Sequence, residues 1–339
     1  MPIVRSIGRF LAAALIYTAF AVYLYQPHFS GFQTLHLRDI FVVNVSLASL
    51  GCFLLSRRWV ASFWGSLFAG AIYGFGPFTI GLSAYHPAVN LLTAAVPWLF
   101  CPAAFCHKTN FRWAAWPLSA VPFIAIILFF QTADHFRLFA LPLQARLYIS
   151  DLRGLLAPLV MINTAPVFIS FYHIPIAPLI IGVAMLIAAQ RFSIVLIFLL
   201  GTALAFSKPF LDVSPLIWLT VPVLCCSVFI GAGMQGLAAA GTADKIWLLL
   251  TATAMALLCV VALLLSTGYS VISGETKIDY TMLFLQTAQM YIAGACLVAF
   301  FYFTAYSKLH ITALRWLILS AAMAADIFLS ARFVFDKVF

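Results

Sequence analysis

The sequence predicts an all-α, polytopic transmembrane bundle of about 10–11 spans, forming a single integral membrane domain over residues 1–339. Three observations predict it. Hydrophobic residues make up 65% of the chain and charged residues only 8%, against about 25% charge in soluble domains. Mean hydropathy is +1.10, more apolar surface than a water-soluble fold can bury. The apolar runs are continuous rather than alternating, which favours helices over a barrel, because lipid forces every backbone polar group to pair within its own segment.

Spans of roughly 20 apolar residues are expected at 9–26, 39–55, 59–82, 88–106, 113–131, 174–189, 192–207, 216–237, 246–266, 281–304 and 313–331. Arg5 and Arg9 precede the first run, and Ala19-Phe20-Ala21 has the small-residue spacing of a signal-peptidase site. The apolar run continues to Tyr25, so an uncleaved first span is expected.

Orientation follows from where the polar residues fall. With the N-terminus in the cytoplasm, the inner turns hold Arg5, Arg9, Arg57, Arg58, Lys108, Arg112, Arg191, Lys245, Lys308 and Arg315. Asp39, Asp134, Asp151, Asp212, Glu275, Asp279 and Asp336 then lie outside, and Asp244 inside. Trp59, Trp113, Trp116, Trp247 and Trp316 each follow an inner basic residue, as an interfacial aromatic belt does. The longest non-spanning stretch is an outer segment at 132–173. Within it, 135–150 reads as an interfacial helix interrupted at Pro142, and 155–171 is apolar but broken by Pro158 and Pro166.

The net charge of +9 is spread singly or in pairs between apolar runs. That pattern fits topology and lipid headgroups, and it predicts membrane lipids rather than nucleic acid as partners. The seven cysteines lie in or beside apolar runs without CxxC spacing, so free buried thiols are expected and no metal site. No phosphate loop, Ser/His/Asp set or zinc signature is present. Gly231 and Gly233 in FIGAGMQGL read as a close helix contact, since no strand precedes them. Gln286, Gln289 and Asn44 read as interhelical hydrogen-bonding residues or the lining of a pathway. Asp326 is a carboxylate inside the last span, about five residues from its expected outer end. Five of the histidines, His28, His36, His86, His135 and His173, map outside with most carboxylates. Arg137, Arg146 and Arg153 share the long outer segment, and arginine forks suit phosphate oxygens.

The stretch 39–106 has a distinctive layout. An asparagine-containing span meets an Arg-Arg turn, a small-residue span ends in Gly74-Phe75-Gly76, and Tyr85-His86-Pro87 leads to a span with Ala95-Val96-Pro97-Trp98-Leu99. With SFYHIPIAPLIIGVAMLIAA at 170–189 and SPLIWLTVPVLCCSVFIGAGMQGL at 214–237, it resembles bacterial YfhO-type membrane proteins of the GT-C glycosyltransferase superfamily, over about residues 39–237. The resemblance implies a bacterial inner membrane and a polyprenyl-phosphate-linked sugar as substrate, with no other cofactor. It also implies a carboxylate base at the outer face. Asp39 would take that role with His86 beside it, and Arg153 or Arg146, with Arg137 in the same segment, would hold phosphate. The first outer loop is short, however, and the acidic pair that many members carry is missing. A lipid-headgroup modifier acting on the same outer face is the companion reading, and two further ones stand: a non-catalytic subunit of a larger membrane complex, and a transporter or lipid flippase. Whether the chain is an enzyme is left open by its residues.

Overall fold

A computed structural model describes residues 2–26, 35–85, 87–105, 176–189, 192–208, 215–270, 280–306 and 311–338. Among these residues the fold is helical throughout, with no strand. The helices are α1 (Pro2–Tyr25), α2 (Leu35–Ser56), α3 (Phe63–Phe75), α4 (Pro77–Tyr85), α5 (Pro87–Phe105), α6 (Ile176–Ala188), α7 (Phe192–Phe206), α8 (Pro215–Trp218), α9 (Thr220–Ala239), α10 (Lys245–Ser270), α11 (Tyr280–Tyr306) and α12 (Thr312–Val338). A short 3₁₀ turn, Thr242–Asp244, joins α9 to α10. The expected span at 113–131 and the outer segment 132–173 lie outside the described residues.

Six helical stretches are long and apolar enough to cross a membrane: Ile7–Tyr25, Phe63–Leu82, Thr220–Ala239, Thr242–Thr267, Thr281–Ala305 and Thr312–Arg332. Two of them form the interior. Phe63–Leu82 is 89% buried and Thr220–Ala239 is 72% buried, while the other four are 22–33% buried. The outer helices present Leu15, Leu196, Leu257, Leu264, Phe303 and Leu317 outward, the surface a bilayer would solvate.

Glycine sets how closely the interior helices approach. Residues two apart on a helix point about 200° apart, so Gly231 and Gly233 face opposite sides of α9. Gly231 meets Gly65 of α3, each glycine lying where a Cβ would sit 2.7 Å from the other's carbonyl oxygen. Gly233 faces α6, where a Cβ would run into the Pro178 carbonyl, and Gly182 of α6 meets the Phe229 carbonyl in the same way. The paired glycines thus clamp α9 between two neighbours, the small-residue packing that lipid-immersed helices use. On its other face, α3 sets Gly70 and Gly74 against the Ser49 and Val45 carbonyls of α2.

Side-chain hydrogen bonds tie the same core together. The Tyr17 hydroxyl donates to the Leu67 carbonyl at 2.7 Å, Tyr73 to Thr93 at 2.6 Å, and the Trp98 indole to Leu47 at 3.0 Å. Each of these three donors is thus satisfied on a neighbouring helix.

The expected span 59–82 is two helices. Pro77 has no N–H to continue the α3 ladder, and Gly76 is extended at φ −66°, ψ 153°. The Thr79 hydroxyl donates to the Tyr73 carbonyl at 2.6 Å, satisfying an acceptor at the break.

The helix ends sort into two groups. Gln235 of α9 reaches the start of α3, and its side-chain carbonyl accepts from the Ala61 and Ser62 amides at 2.9 and 3.1 Å. Ser62 caps α3 by accepting from the Gly65 amide at 2.8 Å. Nearby, the Arg57 guanidinium donates to the Ala61 carbonyl at 2.8 Å. Burial, and then the positive charge of Arg9, hold the Arg57 guanidinium below its ordinary pKa. At the opposite end Tyr25 stacks on Phe41 and meets Phe335 edge-on. The turns 57–62 and 240–245 thus share one end with the start of α12, as alternating spans require.

Candidate functional site

A cleft of about 420 Å³ lies between α6, α10, α11 and α12, floored by Leu237 of α9. It is open along one side, and its lining is almost wholly apolar. Met255, Met323, Leu319, Tyr291, Val298 and Phe301 form buried walls. Small residues, Ala293, Gly294, Ala322 and Ala325, keep it open. At Gly294 a Cβ would press on the end of the Met255 side chain.

The polar groups in the lining are the Thr287 hydroxyl, the Asp326 carboxylate and the phenolic hydroxyl of Tyr291. The Thr287 hydroxyl donates back to the Leu283 carbonyl at 2.9 Å, which leaves its oxygen able to accept. The half-buried Asp326 has its backbone carbonyl held by the Ser330 hydroxyl at 2.6 Å. Ile176, Ala177 and Pro178, at the start of α6, line the same cleft.

Its reach follows from helix geometry. Thr287 to Phe301 covers about 21 Å of α11, and Leu319 to Leu329 about 15 Å of α12. Elongated and lined by apolar side chains, the cleft suits hydrocarbon rather than a polar ligand. Chemically it can bury apolar chain along its length and offer a carboxylate and hydroxyl groups. It supplies no nucleophile–base pair and no group of metal ligands; none of the latter occurs among the described residues.

The residues singled out from the sequence as catalytic or phosphate-binding lie outside the described side chains. Asp39 lies in the second turn of α2, and its side chain is outside the described residues. His86 falls at the junction between α4 and α5, also outside them, as do Arg137, Arg146 and Arg153. The structure corrects the expectation for Gln286 and Gln289, whose side chains are exposed on α11 rather than packed between helices. Asn44, by contrast, is buried.

Sequence reasoning also missed the role of Arg315, which read as a topology residue. It is 4% exposed, donating to the Ala240 carbonyl at 2.6 Å and to the Thr304 hydroxyl at 3.1 Å. It binds the end of α9 to α11 and α12. The cleft itself carried no sequence signal, because its lining comes from five separate helices and each contributes residues ordinary for a span.

No family model matches the chain, and no curated protein or solved structure matches it.

Proposed function

We propose that the chain is an integral protein of the bacterial inner membrane that acts on a polyprenyl-phosphate-linked sugar at the outer face, in the manner of the GT-C enzymes it resembles. The observation that carries this reading is the elongated apolar cleft, whose lining includes Thr287 and Asp326. In the sequence, Arg137, Arg146 and Arg153 precede the start of α6, whose first residues line the cleft; the transferase reading assigns the phosphate of a bound isoprenoid to these arginines.

The chemistry assigned to the outer residues is a single displacement. The acceptor hydroxyl oxygen forms a bond to the sugar's anomeric carbon, and its proton passes to the Asp39 carboxylate, with His86 beside it. The bond from that carbon to the lipid phosphate oxygen breaks, and the phosphate keeps the electron pair. Arg153 or Arg146 holds the departing phosphate, and Arg137 adds positive charge.

The test is a transfer assay on the full chain reconstituted in liposomes with polyprenyl-phosphate sugars. Transfer that depends on Asp39 supports the reading. Full activity in Asp39→Asn removes that residue from the mechanism. Absence of transfer with every donor tried leaves the non-catalytic subunit as the better account.

A further inference from the structure

Glutamine is out of place on a lipid-facing helix surface, and α11 has two there. The apolar span within α11 runs Thr281–Ala305. Gln286 and Gln289 therefore lie about 8 and 12 Å along the helix from its Thr281 end, by a rise of 1.5 Å per residue. Both side chains are exposed, and neither has a hydrogen-bond partner among the described residues. An amide facing hydrocarbon has no water to bond, so it seeks a partner helix.

The surrounding pattern is a seam. Gln286, Gln289, Ala293, Cys296, Phe300 and Phe303 are all exposed and recur at alternating steps of three and four residues. That spacing draws a stripe along one side of a helix, the spacing by which two helices wind together. The stripe borders the cleft, with Ala293 on the edge they share and Thr287 and Tyr291 turned into the cleft.

We propose that this face of α11 packs against the same face of a second copy of the chain. Self-complementarity argues for a second copy. A carboxamide donates through its nitrogen and accepts through its oxygen, so two glutamines related by a two-fold axis satisfy each other without any other chemistry. A two-fold interface uses the same patch on both partners. Ala293 lets the helices approach at the centre of the stripe, and Cys296 lies one turn further on, where the two copies come close. The proposal does not depend on the transferase reading, and its test does not use activity.

The test uses the full chain in membranes, with Cys296 as the sole cysteine and, separately, Ala293→Cys in a cysteine-free chain. Copper phenanthroline takes two electrons from a pair of thiols, which lose two protons as the disulfide forms. Single-molecule photobleaching of labelled chains in liposomes measures the oligomeric state without any disulfide. The expected result is two-step bleaching, with a cross-linked dimer from at least one of the two cysteine positions. Each membrane hydrogen bond of this kind is worth about threefold in association. Gln286→Leu with Gln289→Leu should therefore weaken dimerisation roughly tenfold, with the monomer remaining soluble in mild detergent and unaggregated. One-step bleaching overturns the proposal, whether the seam is bare or covered by another part of the same chain. So does a dimer that the leucine pair leaves unchanged, or one that cross-links at neither position.

Discussion

Adding a single methyl group at Gly231 should loosen the centre of the bundle. In Gly231→Ala the new Cβ would lie 2.7 Å from the Gly65 carbonyl oxygen and 2.9 Å from the Ala69 Cβ. Both neighbours belong to α3, and neither is the mobile tip of a long side chain, so the helices must part. Overpacking of this kind costs about 1–3 kcal/mol. Alanine also favours the helical state over glycine by about 1 kcal/mol, which hides part of that cost. The control is therefore Gly8→Ala, a helical glycine of α1 with nothing within 4 Å of an added Cβ. It receives the propensity gain alone. The difference between the two variants should equal the clash, about 1–3 kcal/mol, with Gly231→Ala the less stable. Reversible unfolding of the purified protein in mixed micelles, titrated with SDS, reads this difference. Equal stability for the two variants would refute the glycine clamp between α3 and α9.

Arg315→Leu removes two charge-assisted hydrogen bonds and leaves the Ala240 carbonyl without its guanidinium partner; it should cost about 2–3 kcal/mol in the same titration, with Arg315→Lys less damaging. Gly294→Leu, whose Cβ would meet the flexible end of Met255 on the wall of the cleft, should preserve monodisperse protein while reducing co-purified lipid, read by mass spectrometry of the extracted lipid. Cys52, Cys101 and Cys259 are buried, so a membrane-permeant maleimide should leave them unmodified until the protein is unfolded.

The class of fold was legible because lipid imposes it: long apolar runs with tight basic turns have few alternatives to helices. Helix ends were less legible. Hydropathy marks where lipid begins, not where the hydrogen-bond ladder stops, so α12 continues through Arg332 and Asp336 beyond its expected end at 331. The break at Gly76-Pro77 was visible as residues, but its place depends on Thr79 bonding back to Tyr73. The glycine contact of α9 was readable from Gly231 and Gly233, although not which helices it would join. The cleft was not readable at all, since it exists only where α6, α10, α11 and α12 meet. Gln286 and Gln289 read as amides between helices, but their spacing did not say which way they faced, and both are exposed on α11.

Topology decides whether Asp39, His86 and the three arginines can share one outer face. The direct measurement is labelling of single-cysteine chains in intact cells with a membrane-impermeant maleimide. His86→Cys should react from outside without permeabilisation, and Ser62→Cys, at the Arg57 end, only after the membrane is opened. Reaction of Ser62→Cys in intact cells together with protection of His86→Cys would invert the protein in its membrane and contradict the proposed site.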